Sequence, residues 1–444
     1  MSGNKADWPV DLARRVESAL VEKGHSVPVE SLRTLFETMF FASLQTEEGA
    51  AITFHVVYVD PEKPDPLPPQ RVVQDRWTSI PLGGRLPFAL PTLRKLATAT
   101  DPRSSSIAVY HDTDGKVFIW GFIDQGNSYF DFITHDSNSG PDRPGLFQAS
   151  ILGVGKIATY VGYVLIAALN VNKLRGATIE VLSNGPVLDA LRPGLEAFMG
   201  RVRSEVGEEI YIKRDHWDAS MGFYWLTVLR RLLLRTRQYQ HGGAFLITPD
   251  STHAELNIKY GLSYDRLRSA LHRNGVVMMR ETYARDQIHE GYVCKGAESL
   301  PTKLYRMQLV EKARKEDTES EIDGAVWFVS LLSRVDGLVL LTPDLEVHGF
   351  GVEIVSKDVP LRIVQATDPD ATESARTKLD YRHFGTRHRS MMSYCAKHPG
   401  SVGFVISQDG DVRVMTLVGD TLVVWENIML LLDDMDSVRH GTVD

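Results

Sequence analysis

Two segments of the chain have the pattern of β-hairpins, and they limit the possible folds more than any other feature. Residues 106–111 and 116–123 are β-rich runs joined around Asp114-Gly115, and residues 402–407 and 412–417 are joined around Asp409-Gly410. An Asp-Gly pair favours a tight turn between antiparallel strands because both residues tolerate a positive φ. Helical periodicity alternates with these strands along the chain. The sequence therefore predicts an α/β (α+β) fold, with a C-terminal mixed β-sheet flanked by helices and a preceding N-terminal α/β domain.

One apolar segment and one basic segment predict further helices. Residues 160–169 (YVGYVLIAAL) form the longest apolar run, about half the length needed to cross a bilayer, and we predict a buried helix there. Leucines alternate with arginines within residues 223–237. This pattern predicts an amphipathic helix with one solvated basic face, formed by Arg230, Arg231, Arg235 and Arg237.

Composition limits the class of protein. The chain has 444 residues, enough for two or three domains of about 150 residues each. Its 49 basic and 57 acidic residues give a net charge of −8, which argues against a nucleic-acid partner. The N-terminal residues lack the apolar segment of a signal peptide, so we expect a cytoplasmic protein with no membrane partner. We predict three regions: 1–215, an α/β domain; 216–315, a connecting region; and 316–435, a C-terminal domain.

The residues with the clearest chemistry lie near the C-terminus. Gly385 to Arg389 read GTRHR ahead of a predicted helix. Gly385 lets the backbone approach a ligand, Thr386 offers a hydroxyl, and the guanidinium groups of Arg387 and Arg389 suit phosphate oxygens. The helix N-terminus adds amide donors. These residues favour a phosphate site, although a solvated basic turn explains them equally well.

Three other short segments are relevant. Asp336 precedes a predicted strand and supplies a carboxylate that could hold a divalent metal. His241-Gly242-Gly243 is typical of a tight turn. Trp120 and Phe122 alternate along the first hairpin; we predict that they belong to the core, with the wall of a ligand pocket as the alternative.

Taken together, three strings resemble a known family. Asp336-Gly337-Leu338, then Gly385 to Arg389, then Ser407-Gln408-Asp409-Gly410 after an apolar strand are similar to the diadenylate cyclase domain. This is the domain of the DNA-integrity scanning protein and its membrane-bound relatives, which make cyclic di-AMP from two ATP. The similarity covers residues 322–430, about a quarter of the chain.

The upstream part resembles the sensor domain termed DACNV, which precedes some of these cyclases. The similarity rests on TEEG at residues 46–49, VFIWGFIDQG at 117–126 and RPGLFQ at 143–148. It implies that an unidentified small molecule binds the N-terminal domain and regulates the cyclase.

The resemblance to the cyclases implies roles for individual residues. Asp336 would bind Mg²⁺ or Mn²⁺ and help activate the attacking ribose hydroxyl. Thr386, Arg387, His388 and Arg389 would hold the triphosphate of ATP. The nucleotide would also be contacted by Gly337, Leu338, Gly385, Ser407 and Gln408. Each domain would hold one ATP, so the reaction requires two cyclase domains face to face, in a homo-oligomer. The resemblance also implies a cytoplasmic bacterial enzyme.

Two departures from the family pattern keep a second hypothesis open. Leu338 stands where the family usually has alanine, and its larger side chain could crowd the nucleotide. Gln408 stands where the family usually has glutamate, although the neighbouring Asp409 could replace that charge. The alternative is a catalytically inactive signalling protein that uses the cyclase fold as a nucleotide receptor.

Overall fold

The structure is a computed structural model that forms two compact units. Of the residues that the structure describes, those up to residue 178 form the first unit, and those from 179 to 430 form the second. The structure describes residues 6–430 except 65–77, 102–103, 125–144, 162–163, 177, 208–209, 211–213, 240, 251–253, 295–301, 357–359, 361 and 409. Within the described residues no helix is long and apolar enough to cross a membrane.

The first unit is a sheet with helices on one face. Its helices are α1 (Pro9–Glu22), α2 (Val29–Ser43) and α3 (Leu90–Ala97). Its strands are β1 (Thr46–Glu47), β2 (Ala50–Ala51), β3 (His55–Tyr58), β4 (Thr78–Pro87), β5 (Ser105–His111), β6 (Val117–Asp124), β7 (Phe147–Gly153), β8 (Lys156–Val161), β9 (Val164–Asn170) and β10 (Lys173–Arg175). The eight-stranded sheet has the order β10-β9-β8-β7-β3-β5-β6-β4, and β1 and β2 form a separate hairpin.

The core of the first unit forms where apolar helix faces meet the sheet. Leu12 of α1 and Phe36 of α2 are fully buried and belong to one cluster with Val56, Ile107 and Ile119. Successive strand residues point to opposite faces, so Val57, Ala108 and Trp120 form a second cluster on the other face. The predicted hairpin at residues 106–123 is confirmed as β5 and β6.

The predicted buried helix at residues 160–169 is wrong. Its described residues belong to β8 and β9, which pair antiparallel. A short apolar run cannot be assigned to helix or strand from periodicity alone, and the valine and tyrosine content of this run favours a strand. Farther along the chain, a single parallel bridge joins Ile179 to Ile428.

The second unit has one mixed sheet of nine strands. Its helices are α4 (Gly185–Val206), α5 (Arg214–Gln238), α6 (Arg266–Ile288), α7 (Thr302–Leu332) and α8 (Thr386–Lys397). Its strands are β11 (Gly243–Ile247), β12 (Leu256–Tyr264), β13 (Leu338–Leu341), β14 (Val347–Ile354), β15 (Ile363–Ala366), β16 (Arg376–Lys378), β17 (Val402–Ile406), β18 (Val412–Val418) and β19 (Thr421–Trp425). The order is β12-β14-β13-β11-β17-β18-β19-β15-β16.

Helices lie against this sheet, as the α/β prediction requires. Met391, Met392 and Cys395 of α8 pack in one cluster with Leu246 and Val405. Helix α4 contacts β17 and β18, and helix α5 contacts β17. The predicted fold class is confirmed.

The structure draws the domain boundaries differently from the predicted ones. The predicted connecting region, residues 216–315, contains β11 and β12, and both belong to the same sheet as β13 to β19. β11 lies between β13 and β17 and is hydrogen-bonded to both. The second unit therefore begins at residue 179 rather than at 216 or 316. An isolated run of four apolar residues after two glycines did not reveal this long-range pairing.

The basic helix α5 also differs from its prediction. Arg230 is fully buried and Arg231 is nearly so. The Nη2 atom of Arg230 donates to Glu180 Oε1 at 2.8 Å and to Ser183 Oγ at 2.9 Å, and Arg231 pairs with Asp323. A guanidinium can be buried when it is paired, so these two arginines do not form a solvated basic face.

Helix α4 offers a matched test of packing in the second unit. A Cβ atom at Gly194 would overlap the carbonyl oxygen of Pro343, whereas one at Gly200 would meet nothing within 4 Å. We expect Gly194→Ala to lower the free energy of unfolding by about 1 to 3 kcal/mol through overpacking. Gly200→Ala should raise it by about 0.5 to 1 kcal/mol, because alanine loses less conformational entropy in a helix. Urea unfolding of both variants measures the two changes, and equal midpoints would contradict the packing at Gly194.

Candidate functional site

The GTRHR string lies at the start of α8. Gly385 is the N-cap residue, and Thr386 is the first residue of the helix. The first-turn amides of a helix have no partner within the helix and carry partial positive charge. Gly385, Thr386 and Arg389 are exposed, while Arg387 and His388 are half-buried. A helix is present here as predicted, but it begins at Thr386, inside the string, rather than after it.

The body of α8 fixes the position of this N-terminus. Tyr394 and Cys395 are fully buried against the sheet. A Cβ atom at Gly403 of β17 would lie 3.0 Å from Cys395 Sγ, so a glycine there allows the helix to approach the strand closely. Burial raises the pKa of the Cys395 thiol to about 12, so the thiol is protonated at neutral pH and acts as a small apolar side chain.

Arg387 reaches the turn before β11. A Cβ atom at Gly242 would lie 3.4 Å from Arg387 Nη1 and 3.4 Å from the backbone nitrogen of Gln408. Gly242 has a φ of +75°, as the predicted tight turn requires. No pattern in the sequence indicates that this turn lies close to both α8 and the loop after β17. The structure thus brings together segments that are more than 140 residues apart.

The Asp336-Gly337 segment lies at the same end of the sheet. β11 and β13 are parallel, with Phe245 opposite Val339, and continuing this register by two residues places Gly337 beside Gly243. The side chain of Asp336 is exposed. Its negative charge helps to raise the pKa of Lys259, for which Glu353 is the main cause.

Gly337 is required by the sheet itself. Its φ is +116°, and a Cβ atom would lie 2.6 Å from the carbonyl carbon of Gly351 and 2.8 Å from the carbonyl oxygen of Val352. A side chain therefore cannot be accommodated between β13 and β14. This requirement explains the glycine without any ligand.

Leu338 lies in the core of the second unit. It is 5% exposed and belongs to the cluster that contains Ala244 and Val352. Its side chain therefore does not occupy the end of the sheet, where the larger residue was expected to crowd a nucleotide.

The loop after β17 is a closed turn. Ser407 N donates to the carbonyl oxygen of Asp411 at 2.9 Å, and Asp411 N donates to Ser407 Oγ at 3.1 Å. Gln408 is exposed. Asp409, the proposed substitute for a family glutamate, lies outside the described residues.

Arg413 of β18 is a site residue that the sequence reasoning missed. Its Nε donates to Glu426 Oε1 at 2.9 Å, its Nη1 lies 3.2 Å from His388 Nε2, and its Nη2 lies 3.3 Å from Asp411 Oδ2. The guanidinium carbon is also 5.4 Å from the centre of the Phe384 ring. An arginine within an otherwise apolar strand was the signal that could have identified it.

This environment determines the charge of His388. Burial and the positive charges of Arg413 and Arg387 lower the pKa of His388 to about 4. The imidazole is therefore neutral at pH 7, and since Arg413 can only donate, Nε2 is the acceptor and Nδ1 carries the proton. The string GTRHR thus supplies two cations, Arg387 and Arg389, rather than three.

The acidic groups fit one kind of metal site and not another. Among the described residues, no group of three or more His, Cys, Asp or Glu side chains could hold a metal ion. An exposed single carboxylate, that of Asp336, suits a divalent cation that arrives with phosphate oxygens as its other ligands, as Mg²⁺ commonly does. The donor set fits that case and does not fit a metal site built only from protein ligands.

The pKa of His388 makes the stability of the second unit depend on pH. The unfolded histidine takes up a proton below a pH of about 6.5, whereas the folded one does so only near pH 4. Folding stability is therefore lost as the pH falls from 6.5 to 4, by about 2 to 3 kcal/mol. We expect His388→Gln, which keeps an acceptor for Arg413, to remove this part of the loss. Urea unfolding at pH 7 and pH 4.5 measures it, and equal losses in variant and wild type would contradict the buried neutral imidazole.

Comparison with known families concerns the first unit. Residues 23–124 match the family model described as "Probable sensor domain DACNV". This segment runs from just before α2 to the end of β6. No curated protein matches the chain. The sensor domain predicted near the N-terminus is confirmed for residues 23–124, a narrower range than the predicted 1–215.

Proposed function

We propose that the second unit is a diadenylate cyclase domain and that the sensor domain of the first unit regulates it. The observation that carries this proposal is the meeting of three sequence segments at one end of the nine-stranded sheet. Arg387 of GTRHR and the backbone nitrogen of Gln408 both lie close to Gly242, and the β11–β13 register brings Asp336-Gly337 to the same end. These are the three segments that resemble the cyclase motifs.

The charges at this end support the binding of a triphosphate. Arg413 is neutralised by Asp411 and Glu426. No carboxylate of the described residues forms an ion pair with Arg387 or Arg389 in the same way. Their guanidinium groups, the Thr386 hydroxyl and the first amides of α8 are therefore available to phosphate oxygens.

In the proposed reaction, the 3′-hydroxyl of each ATP attacks the α-phosphorus of the other. Each attack forms an O3′–P bond, breaks the bond from the α-phosphorus to the bridging oxygen of pyrophosphate, and releases the hydroxyl proton. Arg387 and Arg389 would hold the triphosphate and stabilise the negative charge on the leaving pyrophosphate. Asp336 would orient the attacking hydroxyl or accept its proton. A bound Mg²⁺ or Mn²⁺ would neutralise phosphate charge.

This chemistry implies an arrangement and a location. Each site holds one ATP, so two second units must face each other about a two-fold axis. ATP is a cytoplasmic nucleotide, and the proposed reaction therefore belongs in the cytoplasm.

One observation favours a second candidate function. Gln408 is exposed, and it carries an amide where the resembled cyclases have a carboxylate. An amide cannot accept a proton at neutral pH and is a weaker metal ligand than a carboxylate. The alternative is therefore a receptor that binds ATP or a related nucleotide without turnover.

Asp336→Asn tests the cyclase directly. The full chain is incubated with ATP and Mg²⁺ or Mn²⁺, and cyclic di-AMP is measured by mass spectrometry. We expect Asp336→Asn to reduce product at least a hundredfold, about the effect of losing one transition-state contact, at nearly constant side-chain volume. Asp317→Asn is the matched control, because this exposed carboxylate lies on α7, 15 residues before the helix ends, and should not change the rate.

ATP binding by Arg387→Gln, taken together with the product assay, separates the two candidate functions. ATP binding is measured by calorimetry, and we expect this variant to weaken it at least tenfold through loss of charge-assisted hydrogen bonds. Product from the wild type that disappears in Asp336→Asn supports the cyclase. Saturable ATP binding without product, lost in Arg387→Gln, supports the receptor instead. ATP binding that Arg387→Gln leaves unchanged would contradict both.

A further inference from the structure

The edge of the first sheet contains a cavity beside β4. β4 pairs with β6 at Pro81, opposite Gly121, and again at Leu86, opposite Ile119. Four residues of β4 therefore lie between these two pairs, whereas β6 has a single residue, Trp120, between the same pairs. The displaced segment of β4 leaves a cavity of about 280 Å³ over Trp120.

The walls of this cavity are apolar and rigid. They include Pro61, Pro64, Pro81 and Leu82, together with Trp120. The indole N–H of Trp120 donates to the carbonyl oxygen of Val59 at 3.0 Å, which fixes the orientation of the ring. Trp120 is 6% exposed and belongs to the core on this face. Trp120 is thus a core residue, as predicted, and it also lines this cavity.

The polar groups of the cavity are donors. The guanidinium of Arg85 lines it and stacks on the ring of Phe118, 4.3 Å from the ring centre. This stacking restricts the guanidinium plane and leaves its N–H edges for an acceptor. The hydroxyl of Ser79 also lines the cavity. No carboxylate is among the lining residues that the structure describes.

Two consecutive glycines, Gly83 and Gly84, line the cavity. Packing does not require glycine at either position. A Cβ atom at Gly83 or Gly84 would meet nothing within 4 Å, and neither residue has a positive φ. Larger residues would be accommodated by the fold at both positions. What the glycines do provide is open access to the backbone amides beside Arg85, which a side chain would obstruct.

We propose that this cavity is the ligand site of the sensor domain and that it binds a planar aromatic anion of one or two fused rings. The ring would lie against Trp120 and the prolines, where apolar and aromatic contacts are available. The carboxylate or other anionic group would accept hydrogen bonds from Arg85. The volume is at the lower end of that of small-molecule sites, which limits the ring system to this size.

The inference goes beyond the proposed cyclase function and does not depend on it. It rests only on residues of the first unit, and its test contains no nucleotide. Failure of the cyclase assay therefore leaves it unaffected, and failure of this binding test leaves the cyclase proposal unaffected.

The test uses 2-naphthoate as the probe and 2-naphthamide as its uncharged counterpart, with binding to the full chain measured by calorimetry. We expect saturable binding of 2-naphthoate that Arg85→Gln weakens at least tenfold, with little change for 2-naphthamide. Gly84→Leu fills the open mouth of the cavity without strain and should weaken both probes. Lys95→Gln removes an exposed positive charge on α3 and should change neither.

Two results would overturn the proposal. The first is the absence of saturable 2-naphthoate binding to the wild-type chain. The second is an affinity for 2-naphthoate that remains the same in Arg85→Gln, which would show that the guanidinium does not recognise the anion.

Discussion

The pairing of β11 with two neighbours is the constraint on which the second unit depends. β11 is parallel to β13 and antiparallel to β17. In this arrangement the N-terminal ends of β11 and β13 and the C-terminal end of β17 all lie at the same end of the sheet. The turn at Gly242, the Asp336-Gly337 segment and the Ser407 turn follow from that geometry. Without β11 in the centre, β13 and β17 would have no common edge on which a ligand could bind.

Arg413 determines which side chains at this end of the sheet are paired and which carry a charge. Its guanidinium binds Asp411 and Glu426 and donates to His388, so one side chain joins β18, the residue after β19 and the first turn of α8. A partly buried cation is stable only because its partners neutralise it. The same cation suppresses protonation of His388 and leaves Arg387 and Arg389 as the cations of the GTRHR string. The position of the helix and the charge of the site therefore have a common cause.

The sequence predicted local structure well and long-range pairing poorly. The hairpins β5–β6 and β17–β18 were predictable because an Asp-Gly turn and two β-rich runs are local signals. The residues at 160–169 were assigned to a helix because a short apolar run carries no clear period. The place of β11 in the sheet, and the partners of Arg230 and Arg413, depend on residues tens to hundreds of positions away. For the site, the residue types of GTRHR and Asp336 were identified, but not the neutral His388, the role of Gly242 or the core position of Leu338.

The core position of Leu338 changes how the departures from the family pattern should be weighed. From the sequence, Leu338 and Gln408 both counted against turnover. Leu338 packs with Ala244 and Val352, so its size affects the core and not the nucleotide, and that objection loses its physical basis. Gln408 remains, because its side chain is exposed and its backbone nitrogen lies close to Gly242, as Arg387 does. The choice between cyclase and receptor therefore depends on whether the single carboxylate of Asp336 provides enough negative charge to hold a phosphate-bound cation without a second one.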